Sequence, residues 1–172
     1  MSRRSYANPD GAGARTDDLG RTHEQAPLQH RARSEATHRM LTLVTATGLG
    51  VDAYVHWHLA SGFDTLTGTA SPHISQGQLF RLEAALAVIA ILLVLLTRHR
   101  VGALVAFLIA AGGLAAVLLY GYIDVGGFGP LPDMYDPIWY PEKTISAVAE
   151  AVAAVGALCL LLMPSVASDA DG

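Results

Sequence analysis

The chain has 172 residues, 52% of them hydrophobic and only 15% charged, and its mean hydropathy of +0.37 exceeds that of an ordinary water-soluble domain. Eleven Lys and Arg against fifteen Asp and Glu give a net charge of −4, crowded into the first 39 residues and short connections without a basic surface, which excludes nucleic acid as a partner. A single cysteine, Cys159, excludes an internal disulfide, a CxxC pair with quinone-linked thiol chemistry, and a multi-cysteine metal site.

Residues 1–39 are rich in Arg, Ser, Gly, Ala and His with no apolar period, so they are expected to form a disordered cytoplasmic tail. Met40 opens the first apolar run directly and is an alternative translation start. A hydrocarbon core of ~30 Å needs about 20 apolar helical residues, and four runs meet that length. They span about Leu41–Leu59, Leu79–Thr97, Val101–Tyr120 and Thr144–Met163. None reads as a cleaved signal peptide, since the first lies some forty residues into the chain and lacks a small-residue cleavage site. The expected fold is all-α: a four-helix transmembrane bundle over residues 40–164, two structured outer loops, and a short acidic tail, residues 165–172.

Orientation follows from the basic flanks, which are retained in the cytoplasm. Arg31, Arg33 and Arg39 precede the first span and Arg98 and Arg100 separate the second and third, whereas the other two connections carry only Arg81 and Lys143 at their borders. Both termini are therefore expected in the cytoplasm of a multi-pass plasma-membrane protein. All aromatic residues except Tyr6 and Phe107 fall at the predicted outer side, as interfacial Tyr and Trp do. The outer connections, Ser61 to Gln78 and Gly121 to Lys143, hold Asp64, Pro72, His73, Asp124, Asp133, Asp136, Glu142 and four further prolines. That composition predicts a rigid, aromatic, acidic cap. No internal repeat marks a duplicated transporter.

Three carboxylates stand where lipid makes them costly, roughly 2.5–3.5 kcal/mol each at a bilayer centre. Asp52 lies in the first span, Glu83 in the second and Glu150 in the fourth, about 6–12 Å inside the outer ends at ~1.5 Å per residue. At ~100° per residue, Asp52 and His56 share a face, whereas His56 and His58 point apart and cannot chelate one ion from a regular helix. Lys143, Ser146 and Glu150 form one stripe continued by Ala153, Ala154 and Ala157, and Gly113, Val117, Tyr120 and Asp124 form another on the third span. These faces predict an inward cluster of Asp52, His56, Glu83 and Glu150, with Asp124 in a second tier. The plainer reading is that the carboxylates pair with Arg81, Lys143 or Ser146 and only hold helices in register.

His73 and Trp57 read as loop and interface residues, His58 as reaching toward headgroups, and Cys159 as an apolar filler. Haem is not expected, because the intramembrane histidines lie on one span and His99 lies at the opposite face. No phosphate loop, nucleophile elbow or HExxH sequence is present.

The stretches VDAYVHWHLA, ISQGQLFRLEAALAVIA and MYDPIWYPEKTISAVAEA resemble those of small four-span membrane proteins of high-GC actinobacteria, a group with no known activity. The resemblance covers about Met40 to Met163 and implies the fold without implying a function.

The expected function is cation handling. Asp52, Glu83 and Glu150 would supply oxygen ligands or proton acceptors and His56 a nitrogen ligand or shuttle, with a divalent metal ion as the expected cofactor. The expected partners are membrane lipids and a second copy or a larger membrane complex. Two alternatives stay open: a structural or assembly subunit, and an enzyme acting on a lipid or quinone.

Overall fold

The computed structural model describes residues 13–67, 74–97, 100–127 and 131–163, with side chains from Arg31 onward. Tyr6, Pro72, His73, Arg98, His99, Phe128, Pro130 and the expected tail of residues 165–172 lie outside them. The chain divides into two compact units, Met1–Arg39 and Met40–Gly172.

In the first unit, the described residues belong to the long helix α1, Gly13–Ala60. Ala, Arg, Gln and Glu recur through the segment and are strong helix formers, and extending a helix already nucleated costs far less than starting one. Glu35 and Arg39 lie one turn apart at 3.6 Å on this exposed surface.

The second unit contains residues 40–60 of α1, a 3₁₀ turn at Ser61–Phe63, and helices α2 (Gln76–Leu96), α3 (Arg100–Tyr122) and α4 (Pro141–Leu162). Among the described residues the extended structure is confined to an isolated antiparallel bridge between Thr67 and Ser75. Helices α2, α3 and α4 are long and apolar enough to cross a membrane. Residues 40–60 fall short of that hydropathy because Asp52, His56, His58 and three threonines interrupt the run. By length and composition, three of the described helices are thus apolar enough to span a membrane, where four spans were expected.

Helix starts are set by capping chemistry. Helix α2 begins at Gln76 rather than Leu79: Ser75 accepts from the Gln78 amide at 3.1 Å while its own amide donates to the Gln78 side chain at 3.0 Å, a reciprocal box that satisfies two otherwise orphaned donors. Helix α4 begins at Pro141 rather than Thr144, because proline at the first helical position forfeits no hydrogen bond.

Helix α3 packs against both α2 and α4, and the core is built largely of alanine. Ala84, Ala87 and Ala90 of α2, Ala106 and Ala110 of α3, and Ala153, Ala154 and Ala157 of α4 are buried with Leu49 and Ala53 of α1, at the three- and four-residue spacing of a helix face. Large side chains such as Ile89, Leu92, Leu108 and Val155 point outward and are about half exposed. In water this would be a large aggregation-prone surface. In lipid, outward leucine carries no penalty and small interior residues let backbones approach closely. At Gly48 a Cβ would sit 2.7 Å from the Ala149 carbonyl oxygen and 3.0 Å from the Ala153 Cβ. Only glycine permits that α1–α4 crossing.

The acidic residues of the outer connections are spent on local structure. Asp124, Asp133 and Asp136 each accept a backbone N–H two residues on, at 3.0–3.1 Å, the side-chain turn that Asp favours. The Asp136 amide donates to the Tyr120 carbonyl at 3.0 Å, tying the final loop to α3. Arg81 grips both Asp64 carboxyl oxygens, at 2.7 and 2.8 Å, and this hydrogen-bonded guanidinium holds the Asp64 carboxyl below its ordinary value of 3.8.

Candidate cation site and adjoining cavity

Asp52 and His56 are one turn apart on α1, so one face of that helix delivers both. His56 Nδ1 lies 3.0 Å from Asp52 Oδ1. From α4, Ser146 donates its hydroxyl to the same oxygen at 2.5 Å, and Glu150, one turn further along, brings a carboxyl to the group. One donor atom each from Asp52, His56 and Glu150 lie within 4.8 Å of one another. Asp52 and Glu150 are 1% and 0% exposed, while the His56 side chain keeps 12% exposure. The helical spacing and alternating spans therefore bring together three of the four principal residues, as expected.

Glu83 of α2 is half-buried beside this group, facing α3. Gly113 of α3 makes room for both carboxyls: a Cβ there would collide with Glu150 Oε1 and lie 3.3 Å from Glu83 Oε1. Asp124 is not part of the cluster. Helix α3 ends at Tyr122, so the helical stripe does not extend to position 124, and the exposed Asp124 carboxylate instead caps its own turn through Gly126.

Hydrogen bonding within the cluster is incomplete. Both Glu150 carboxyl oxygens, Glu83 Oε1 and the Thr45 hydroxyl are buried with no protein partner, and such atoms cost on the order of 1–3 kcal/mol each unless something satisfies them. The cations expected to neutralise these carboxylates are engaged elsewhere. Arg81 holds Asp64. The Lys143 ammonium donates to the Asp136 carbonyl, lies 3.7 Å from its carboxylate and sits 5.4 Å above the Trp139 ring. Ser146 is the one register partner from the plainer reading that does bond, to Asp52. His58 is exposed and stacks on Tyr54 at 5.8 Å, consistent with its interfacial assignment.

Sequence reasoning did not find the cavity next to this cluster. Its volume is about 390 Å³, and its lining includes His56, Glu83, Gly113, Ser146 and Lys143 together with apolar side chains from α1, α2, α3 and the 131–140 loop. Pockets of this size and mixed lining are typical of small-molecule sites. Phe80 packs edge-on against His56 at 5.2 Å and Tyr140 stands at the rim, its hydroxyl pushed above the ordinary range by burial, with Asp136 and Glu142 adding to the effect. The Gly113, Val117 and Tyr120 stripe was the one legible signal, since all three line this space. Comparison with protein-family models, curated proteins and solved structures gives no match.

Proposed function

We propose that this chain is a four-pass protein of the plasma membrane, with both termini cytoplasmic, that binds a cation at Asp52, His56 and Glu150, with Glu83 beside them. The ion is a divalent metal or a proton. One observation carries this reading: Glu150 is fully buried with both carboxyl oxygens unpartnered while facing Asp52 and His56. Three carboxyl groups in so small a volume repel one another, and with Arg81 and Lys143 engaged elsewhere their charge is balanced by bound protons or by an ion. Two carboxylates and an imidazole suit a borderline divalent ion such as Zn²⁺ or Mn²⁺. Donors bound at ~2.1 Å to one ion lie up to ~4.2 Å apart, so a spread within 4.8 Å closes with small side-chain adjustments. His56 Nδ1, 3.0 Å from Asp52 Oδ1, keeps the imidazole and that carboxylate together in the site.

The fourth crossing is residues 40–60 of α1, whose buried Thr45 and Asp52 face α4, leaving Val51, Tyr54 and Trp57 outward. Against an assembly role stands the small-residue face of α4, which is already buried within this chain.

Elemental analysis of the full chain purified in mild detergent, with calorimetric titration of Zn²⁺ and Mn²⁺, tests the metal form. Stoichiometric metal that Glu150→Gln loses at unchanged melting temperature supports it. Proton uptake on a pH jump, smaller in Glu150→Gln than in the native chain, supports the proton form. A chain that binds neither ion and takes up protons equally with or without Glu150 overturns the reading.

A further inference from the structure

We infer that the cavity beside the cluster is a binding chamber for a lipophilic ammonium ion: an amine whose charged head meets Glu83 and whose apolar body fills the space between the helices. This rests on the cation-site reading but concerns a different carboxylate and a different ligand.

Three observations point to it. The cavity, about 390 Å³, is walled by large apolar side chains, Leu79, Leu82 and Leu86 of α2 and Val117 of α3 among them, so its occupant carries substantial hydrocarbon. The lining also carries the Glu83 carboxyl, which no Lys or Arg pairs among the described residues: Arg81 holds Asp64 and Lys143 donates to Asp136. An ammonium brings both the positive charge and the donors that this carboxyl accepts, which a neutral carbonyl ligand does not. Finally, Phe80, Tyr120 and Tyr140 line the space, and aromatic rings attract an organic cation. A bare metal ion makes no use of the hydrocarbon walls.

The test uses the full-length protein in lipid nanodiscs at pH 7.5, with phenethylammonium as the probe and 2-phenylethanol as its neutral counterpart of nearly equal shape. Saturable calorimetric binding of the ammonium, with at least tenfold weaker binding of the alcohol, is expected. Glu83→Gln should weaken the ammonium at least tenfold. Should Glu83→Gln not fold, Ala116→Phe decides: it places a ring at the cavity lining and should abolish ammonium binding while the metal titration persists. Equal affinity for the alcohol, absence of ammonium binding, or an Ala116→Phe variant that binds as the native chain does would each overturn the chamber. Metal binding with no ammonium binding overturns this inference alone, and ammonium binding without metal or proton uptake overturns the other reading alone.

Discussion

Replacing Gly48 by alanine tests the link between packing and the cation site. The added methyl would lie 2.7 Å from the Ala149 carbonyl oxygen, about 0.7 Å inside the 3.4 Å at which ordinary contact begins, and 3.1 Å from the Ala153 amide nitrogen. These are backbone atoms of α4, so no side-chain rotation relieves the clash and the two helices must separate. Overpacking of this kind costs about 1–3 kcal/mol, offset by about 0.5–1 kcal/mol from placing alanine in a helix, for a net loss of up to about 2.5 kcal/mol. Gly50→Ala is the control: its nearest neighbour would be the Ile91 side chain at an unstrained 3.9 Å, so it should be neutral or stabilising. Thermal melting of detergent-purified protein reads both. Asp52 lies one turn beyond Gly48 on the helix that must move, so Gly48→Ala should also weaken metal retention or proton uptake while Gly50→Ala leaves them intact. Equal melting temperatures for the two variants would refute the tight α1–α4 crossing and the account of how Asp52 reaches Ser146.

Other outcomes follow from the same geometry. Ser146→Ala removes the hydroxyl donated to buried Asp52 and should cost about 1–3 kcal/mol, read as a fall in melting temperature that Ser146→Thr largely restores. Asp64 is held below its ordinary 3.8 by Arg81, so its contribution to stability is complete above that value and disappears as pH falls through the lower folded value. The melting temperatures of the native chain and Asp64→Asn should therefore differ at pH 6 and draw together as the pH falls well below 3.8. In a Cys159→Ala background, Ser61→Cys should react with an impermeant maleimide on intact cells, whereas Arg31→Cys should react only after lysis. The reverse pattern would refute the orientation.

Much of the bundle was legible because membrane helices advertise themselves by length and hydropathy, and α2, α3 and α4 lie within a few residues of expectation. The stripe from Lys143 through Ser146 and Glu150 to Ala157 was legible for a related reason: helical periodicity reports which residues share a face, and all of these are buried. Periodicity fails where the helix stops, which is why Asp124 was misassigned two residues beyond Tyr122. It also says nothing about what lies opposite. That Arg81 would choose Asp64 and Lys143 would choose Asp136 depends on loop paths with no sequence signature. The cavity was invisible because a void is set by which side chains fail to meet.

The alanine interior reverses the usual pattern of mutational fragility. In a core of leucine and phenylalanine, trimming a side chain is the damaging change; here there is almost nothing to trim, and the dangerous direction is growth. Random substitution should find the outward leucines broadly permissive among apolar types, whereas nearly every replacement at Ala87, Ala106, Ala153 or Ala157 drives helices apart. Tolerance to volume, scanned position by position, would thus trace the inner surface of this bundle without any structural measurement.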